Sequence, residues 1–270
     1  MDFYAQLELA LLSANINTKE LIVNEALEYL SKRDAPYSDT LPLLLKQPSY
    51  ASICEIVEPR DLPKRGDFAT KEALGALIHS IAHIEFSAID LAIDAVYRFR
   101  DLPKEFRIDW LIVAQDEIRH FRMLQKLLAK LDLAYGDIVV HQGLFDISMK
   151  SSGSAIERMA VVPRYFEASG LDANPKIIKK LQSYKRDPLI AELIDALKII
   201  YNEEIEHVSK GDKWFKYLCQ KEGSDFQERF LDIIKKYNLK SRAEQFNIEG
   251  RKAAGFSCNE LIALGAKKCN

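Results

Sequence analysis

The sequence predicts an all-α protein built on a four-helix bundle, and three observations carry that prediction. Apolar residues recur at alternating steps of three and four along Phe106, Trp110, Val113, Glu117, His120, Leu124, Leu127 and Leu131. The same alternation runs through Leu193, Leu197, Ile200, Glu204, His207, Gly211, Trp214 and Leu218. This is the spacing of a helix seam that faces a packed neighbour. Each seam carries charge only at a repeated motif, Asp116-Glu117-Ile118-Arg119-His120 and Glu203-Glu204-Ile205-Glu206-His207. Two further seams, Leu74, Ile78, Ile81, Glu85, Ala88, Ala92, Ala95, Phe99 and Ile156, Ala160, Pro163, Glu167, each carry a single acid.

A Glu and a His three residues apart lie on one helix face, so each tetrad offers a carboxylate and an imidazole to one point. Burying such groups costs several kcal/mol unless something pairs with them, and a metal ion does so for all at once. Glu85, Glu117 with His120, Glu167, and Glu204 with His207 form the donor set of a ferritin-like di-iron or di-manganese bundle. In that arrangement two helices give one Glu and two give Glu-x-x-His. The order Glu then Glu-x-x-His occurs twice, as in a duplicated helix pair. Oxygen and imidazole donors favour iron, with manganese as the alternative.

Taken in order, the chain opens with two short helices, Phe3 to Leu12 and, capped by Thr18, on to about Ser31. Residues 34–68 hold Pro36, Pro42, Pro48, Pro59 and Pro63 without a sustained period, which predicts an extended segment wrapping the bundle, with Leu41-Pro42-Leu43-Leu44-Leu45 packed against it. The first bundle helix is expected from its cap Thr70 to Phe99, and the second from Lys104 to Leu131, joined by a turn at Asp101-Leu102-Pro103 that forces an antiparallel hairpin. Residues 132–152 lose the period and read as the long crossover of such a bundle. The third helix is expected from Ser154 to Gly170, kinked near Pro163, which removes a backbone hydrogen bond four residues before Glu167. A turn at Leu171 to Pro175 and a short helix through Lys185 follow. The fourth helix runs from Pro188 to Gln220, and Asp225 to Tyr237 and Cys258 to Lys267 read as helices of a tail over 221–270. No boundary is visible in these patterns, so one domain is expected over 1–270 with its core at about 70–220.

The chain has 270 residues, 48% of them hydrophobic and 29% charged, with a net charge of −2. That balance suits a globular protein and supplies no overall basic field for nucleic acid or an acidic membrane. Cys54, Cys219, Cys258 and Cys269 are widely spaced without Cys-x-x-Cys, and are read as reduced thiols. The start of the chain lacks the pattern of a secretory signal, and no run of about 18 apolar residues stands out. A cytoplasmic protein without membrane association is expected.

Other acids and histidines have plainer readings. Glu157 falls off the stripe that favours Glu167. His79 and His83 face away from Glu85, and His141 lies in the crossover, so all three are read as structural. Asp90, Asp94 and Glu206 are supporting or surface groups. Asp116, Glu203 and Tyr201 are candidates to support the ligands from behind. The basic run Lys176, Lys179, Lys180, Lys185 and Arg186 is read as a solvated face.

Several motifs, His83-Ile84-Glu85 with Ala88-Ile89-Asp90-Leu91, Asp116-Glu117 with His120-Phe121, Tyr135-Gly136-Asp137, Glu167-Ala168 with Gly170-Leu171-Asp172, and Glu204 with His207-Val208, resemble an uncharacterised ferritin-like family, domain of unknown function 455. The resemblance spans about Phe68 to Leu218 and continues from Phe246 to Phe256. The family is similar, more distantly, to di-iron monooxygenases that hydroxylate a modified adenosine in transfer RNA. It implies Glu85, Glu117, His120, Glu167, Glu204 and His207 as ligands. One departure is Asn202-Glu203-Glu204, where many relatives place an Asp before the ligand Glu.

The function expected is therefore an O₂-activating oxidase or monooxygenase with two metal ions, acting on an unidentified small-molecule or RNA-linked substrate and served by an electron donor. The alternatives are an iron-binding, ferroxidase or storage protein and a scaffold in which metal only stabilises the helices.

Overall fold

In the computed structural model, which describes residues 2–63, 66–240 and 246–269, the protein is all-α, and no strand occurs among the described residues. The chain groups into two compact units, Met1–Met149 and Lys150–Asn270. The boundary falls inside the predicted crossover, at a place where no Pro-rich or Gly-rich linker signals it.

The first unit begins with α1 (Phe3–Leu12) and α2 (Ile16–Lys32). The cap of α2 is Asn15, whose side chain accepts from Asn17 and Thr18 N–H, and not the expected Thr18. Asn is at least as good a cap as Thr, and here it stands at the true start of the period. Helices α3 (Lys71–Arg98) and α4 (Lys104–Ala129) follow as an antiparallel pair, with α1 on α3 and α2 on α4. Thr70 caps α3 as expected, accepting from Ala73 N–H at 3.2 Å. Every seam residue of α4 from Phe106 to Leu127 is buried, as is the α3 seam from Leu74 to Ala95.

Helix α3 is buried on most sides because its neighbours cover more than its seam. By length and composition it is apolar enough to cross a membrane, which the absence of a long uncharged run had hidden, yet 72% of its most apolar window is inside the protein. This is the signature of a core helix.

The wrapping segment differs from expectation. Leu41 and Leu44 are exposed, at 91% and 64%, so these two leucines do not bind it down. Polar ties do: Leu43 N–H donates to the Tyr97 hydroxyl at 2.9 Å, and the Arg100 guanidinium donates to Thr40 O at 2.8 Å. Tyr50 and Cys54 are the buried anchors. Positions 64 and 65 of this segment lie outside the described residues.

Within the crossover, Tyr135 stacks on Phe86 and His79 and meets Phe121 edge-on. Gly136 has φ +109°, and a Cβ there would stand 2.4 Å from Ile53 O, so both conformation and contact require glycine. A short parallel bridge, Ile56 to Val140, ties crossover to wrap. The crossover ends in α5 (Gly143–Lys150), a helix too short to have shown a period.

The second unit holds α6 (Ala155–Val161), a π-helical turn (Val162–Glu167), α7 (Ala168–Leu181) and α8 (Pro188–Glu222). The π-helical turn sits where Pro163 predicts an opened helix. Opposite it, Gly211 of α8 comes so close that a Cβ would stand 2.2 Å from Pro163 Cβ. The expected stop at Gly170 does not occur: α7 runs through both Gly170 and Pro175. Tertiary ties hold it, with Asp172 paired to Arg251 at 2.7 Å and Asn174 donating to Leu197 O at 3.2 Å.

Helices α9 (Phe226–Lys236), α10 (Ile248–Ala253) and α11 (Cys258–Ala263) complete this unit. Cys258 and Cys269 form a disulfide, which corrects the reading of all four cysteines as thiols; Cys54 and Cys219 are free and buried. Spacing alone gave no sign of the pair, because the bend at Gly265, φ +103°, is what brings the chain back.

Candidate metal centre

Each candidate ligand is set by helical register. In the first unit, α3 directs Glu85 and α4 directs Glu117 and His120 inward, and all three are buried. His120 Nδ1 lies 3.0 Å from Glu85 Oε2 and 3.5 Å from Glu117 Oε2. The short turn between the helices places Glu85 beside the tetrad, as the antiparallel hairpin requires.

The electrostatics of this trio are those of charges withdrawn from water. Burial, and then the neighbouring Glu117 charge, push the Glu85 carboxyl up to about 8. For His120, burial acts to lower the imidazole, but the hydrogen bonds and charges of Glu117 and Glu85 outweigh it and raise the value to about 11. Both groups therefore hold protons at neutral pH, and both are the kind a cation displaces.

In the second unit, α8 carries the matching tetrad. His207 is fully buried with Nδ1 3.5 Å from Glu204 Oε1, whereas the Glu204 side chain is 14% exposed. Glu167 closes the π-helical turn and is half-buried. Its competitor Glu157 is committed elsewhere, to Lys236 at 2.5 Å and the Tyr237 hydroxyl at 2.6 Å.

Within the first unit, Glu85, Glu117 and His120 form a donor set that could hold a metal ion; Glu167, Glu204 and His207 belong to the second unit. Carboxylates with one imidazole suit a hard or borderline cation that prefers oxygen and nitrogen. The residues present therefore fit a metal, though they do not name it.

The expected supporting groups lie as follows. Asp116 is engaged by Arg119 at 2.8 Å. Tyr201 accepts a hydrogen bond from Asn247 at 2.7 Å, so it ties α8 to the start of α10. Glu203 is half-buried. The structural readings of the histidines agree with their contacts: His83 bonds the Tyr135 hydroxyl at 2.9 Å and His141 O at 2.8 Å, and His79 Nε2 accepts from Gly136 N–H. Burial pushes His79 and His83 down to about 4. Asp90 pairs with Lys19 and Asp94 with Arg98, and the Lys176 to Arg186 run is exposed.

Sequence reasoning missed the buried cations. Lys19 is fully buried between Ala10 O at 2.7 Å and Asp90. Arg164, within the π-helical turn, is fully buried against Asp212 and Glu260, its guanidinium carbon 4.3 to 4.8 Å from the rings of Phe230, Phe215 and Phe256. A Lys or Arg off the apolar stripe looks solvated, and partners far away in sequence leave no local signal.

A family model described as a protein of unknown function (DUF455) matches residues 12–262, and the chain belongs to that family. An uncharacterised protein of Haemophilus influenzae is 36% identical, the match covering 96% of this chain and 92% of that protein. No solved structure matches.

Proposed function

We propose that the protein is a ferritin-like, two-metal carboxylate protein, an oxidase or monooxygenase that activates O₂ with iron, or with manganese. The observation that carries this is the sealed constellation of Glu85, Glu117 and His120, three ionisable groups buried together on the seams of α3 and α4. In this reading Glu167, Glu204 and His207 of the second unit are the remaining ligands. When bound, a redox-active metal pair would supply the electrons needed to reduce O₂.

The chain's own contributions are distinct. Glu85 and His120 would give up their protons to solvent as they bind the metal. Their apolar surroundings exclude water from the centre, which strengthens every charge interaction there. The π-helical turn places Glu167 at an opened stretch of helix, a feature frequent at functional sites. A small-molecule or RNA-linked substrate, an electron donor and a cytoplasmic setting belong to this proposal. The buried thiols Cys54 and Cys219 agree with a reducing compartment, while the Cys258–Cys269 bridge argues against one.

The experiment adds Fe(II) without oxygen and then O₂, followed by stopped-flow absorbance. Oxidation should proceed for about one turnover per centre and then stall until a reductant is supplied. Continued uptake of many irons per chain, in a particle of a dozen or more subunits, would replace this reading with storage.

A second reading has one observation of its own. His120, charged and lying 3.5 Å from Glu117 and 3.0 Å from the protonated Glu85, is already a buried polar cluster that can stand without metal. Under that reading a chelator leaves the melting temperature unchanged.

A further inference from the structure

Helix α11 is six residues long, too short to persist on its own backbone hydrogen bonds, so its outside ties decide whether it stays formed. At its start Ser257 and Glu260 cap one another: Ser257 Oγ accepts from Glu260 N–H at 3.2 Å, and Glu260 Oε2 accepts from Ser257 N–H at 2.8 Å. Leu261 and Leu264 are buried. After the bend at Gly265 the chain comes back, and the Cys258–Cys269 bond closes helix and bend into one ring.

That ring bears on the π-helical turn through Glu260. The side chain is buried, and its other oxygen, Oε1, accepts from Nη2 of Arg164, the third residue of the turn. Phe256, just ahead of the ring, is buried as well, with the Arg164 guanidinium carbon 4.8 Å from its centroid. What fixes α11 therefore also fixes one side of the element that ends at Glu167.

The four cysteines divide by access. Cys54 and Cys219 are 6% and 1% exposed, and burial pushes both thiols up, which keeps the reactive thiolate scarce. Cys258 and Cys269 are half-buried, within reach of a thiol in solution. An accessible disulfide is the labile kind, and one that occurs in a reducing compartment is as a rule made and broken there. The sequence separation of 11 makes the closed loop short, so the bond restrains the chain locally and its loss leaves the rest of the unit standing.

We propose that the Cys258–Cys269 bond is a redox latch on the π-helical turn: oxidised, it holds α11 and the Glu260–Arg164 pair in place, and reduced, it lets both loosen. A dithiol is the reductant. One of its thiolates attacks a sulfur of the bond, and its second thiol resolves the mixed disulfide. Two electrons and two protons pass to Cys258 and Cys269, and the dithiol leaves as a disulfide. The latch needs neither a metal nor the oxygenase reading, which it goes beyond by giving the turn a control.

Hydrogen exchange followed by mass spectrometry on full-length, chelated protein tests the proposal, with dithiothreitol as the dithiol and no denaturant. After reduction, iodoacetamide should label Cys258 and Cys269 and leave Cys54 and Cys219 untouched. Amides of residues 164–168 should exchange ~10-fold faster or more in the reduced protein, those of α8 from Leu193 to Ile200 should keep their rate, and reoxidation with diamide should restore the slow rate at 164–168. The Cys258→Ser, Cys269→Ser double variant should exchange at the fast rate with or without dithiothreitol. A bond that resists dithiothreitol in the folded protein, an unchanged rate at 164–168, or a reduction that exposes the whole second unit would each overturn the proposal, the last by making the bond a staple of the fold. Metal content is measured on untreated protein, so failure of the latch and failure of the metal centre are told apart.

Discussion

The two Glu-x-x-His tetrads are alike in sequence and unlike in surroundings. Glu117 and His120 lie on α4, sealed by α3, and both are buried to within 1%. Glu204 and His207 lie on α8, where only the His is sealed and the neighbouring element opens into a π-helical turn at Pro163. Spacing sets which side chains share a face; the partner helix sets how far they are removed from water. The first tetrad thus lies in a sealed environment, and the second in a partly open one beside a π-helical turn.

That contrast is broken most sharply by ligand deletion. Glu117→Ala should abolish metal retention, exceeding the ~10–100-fold losses typical of residues that merely support a ligand, whereas Glu204→Ala should fall within that range. Metal content after dialysis against a graded chelator measures both. Equal losses would remove the distinction between sealed and open halves.

The sealed half also predicts a pH dependence in metal-free protein. Glu85 and His120 are raised in the fold, to about 8 and about 11, so their stabilising effect is present at low pH and is lost as pH rises, for Glu85 from 4.5 and for His120 from 6.5 upward. His79 and His83 are lowered to about 4, so their neutral burial favours the fold above 6.5 and that advantage is lost as pH falls from 6.5 to 4. Each full proton contributes roughly 1.4 kcal/mol per pH unit. Two histidines outweigh one glutamate on the acid side, and Glu85 with His120 act alone on the other. These four groups therefore place maximum stability near about pH 6.5. Urea unfolding of chelated protein at a series of pH values checks this; stability rising steadily to pH 9 would contradict the assigned shifts. The first metal ion should correspondingly release about two protons at pH 7, measurable by calorimetry in buffers of different ionisation heat.

A smaller effect separates the two units by packing. Gly211→Ala drives a Cβ to within 2.2 Å of Pro163, a rigid ring, and should cost about 1–3 kcal/mol. Gly75→Ala meets only the tip of Leu133 at 2.5 Å, and its gain in helix propensity of about 1 kcal/mol offsets the repacking. Melting temperatures of the two variants test this, and a Gly211→Ala protein as stable as wild type would mean that the π-helical turn yields easily.

Much of this was legible in the sequence because a buried helix face repeats. The seams of α3, α4 and α8, the Thr70 cap and the opened turn at Pro163 all follow from local chemistry, and with them the inward placement of Glu85, Glu117, His120 and His207. What was not legible depends on residues distant in sequence. Glu260 reaches Arg164 across 96 residues and Arg251 reaches Asp172 across 79, and these pairs hold α7 helical past Gly170 and clamp the C-terminal helices. The wrap misled for the opposite reason: Leu41 and Leu44 promise packing, yet backbone bonds to Tyr97 and Arg100 hold that segment.

The central claim is that both tetrads bind metal. Anomalous diffraction at the iron absorption edge, from crystals of iron-loaded protein, tests it most directly. The account predicts two peaks per chain, one beside Glu85, Glu117 and His120 and the other beside Glu167, Glu204 and His207. A single peak held by the first group, or none, would contradict it.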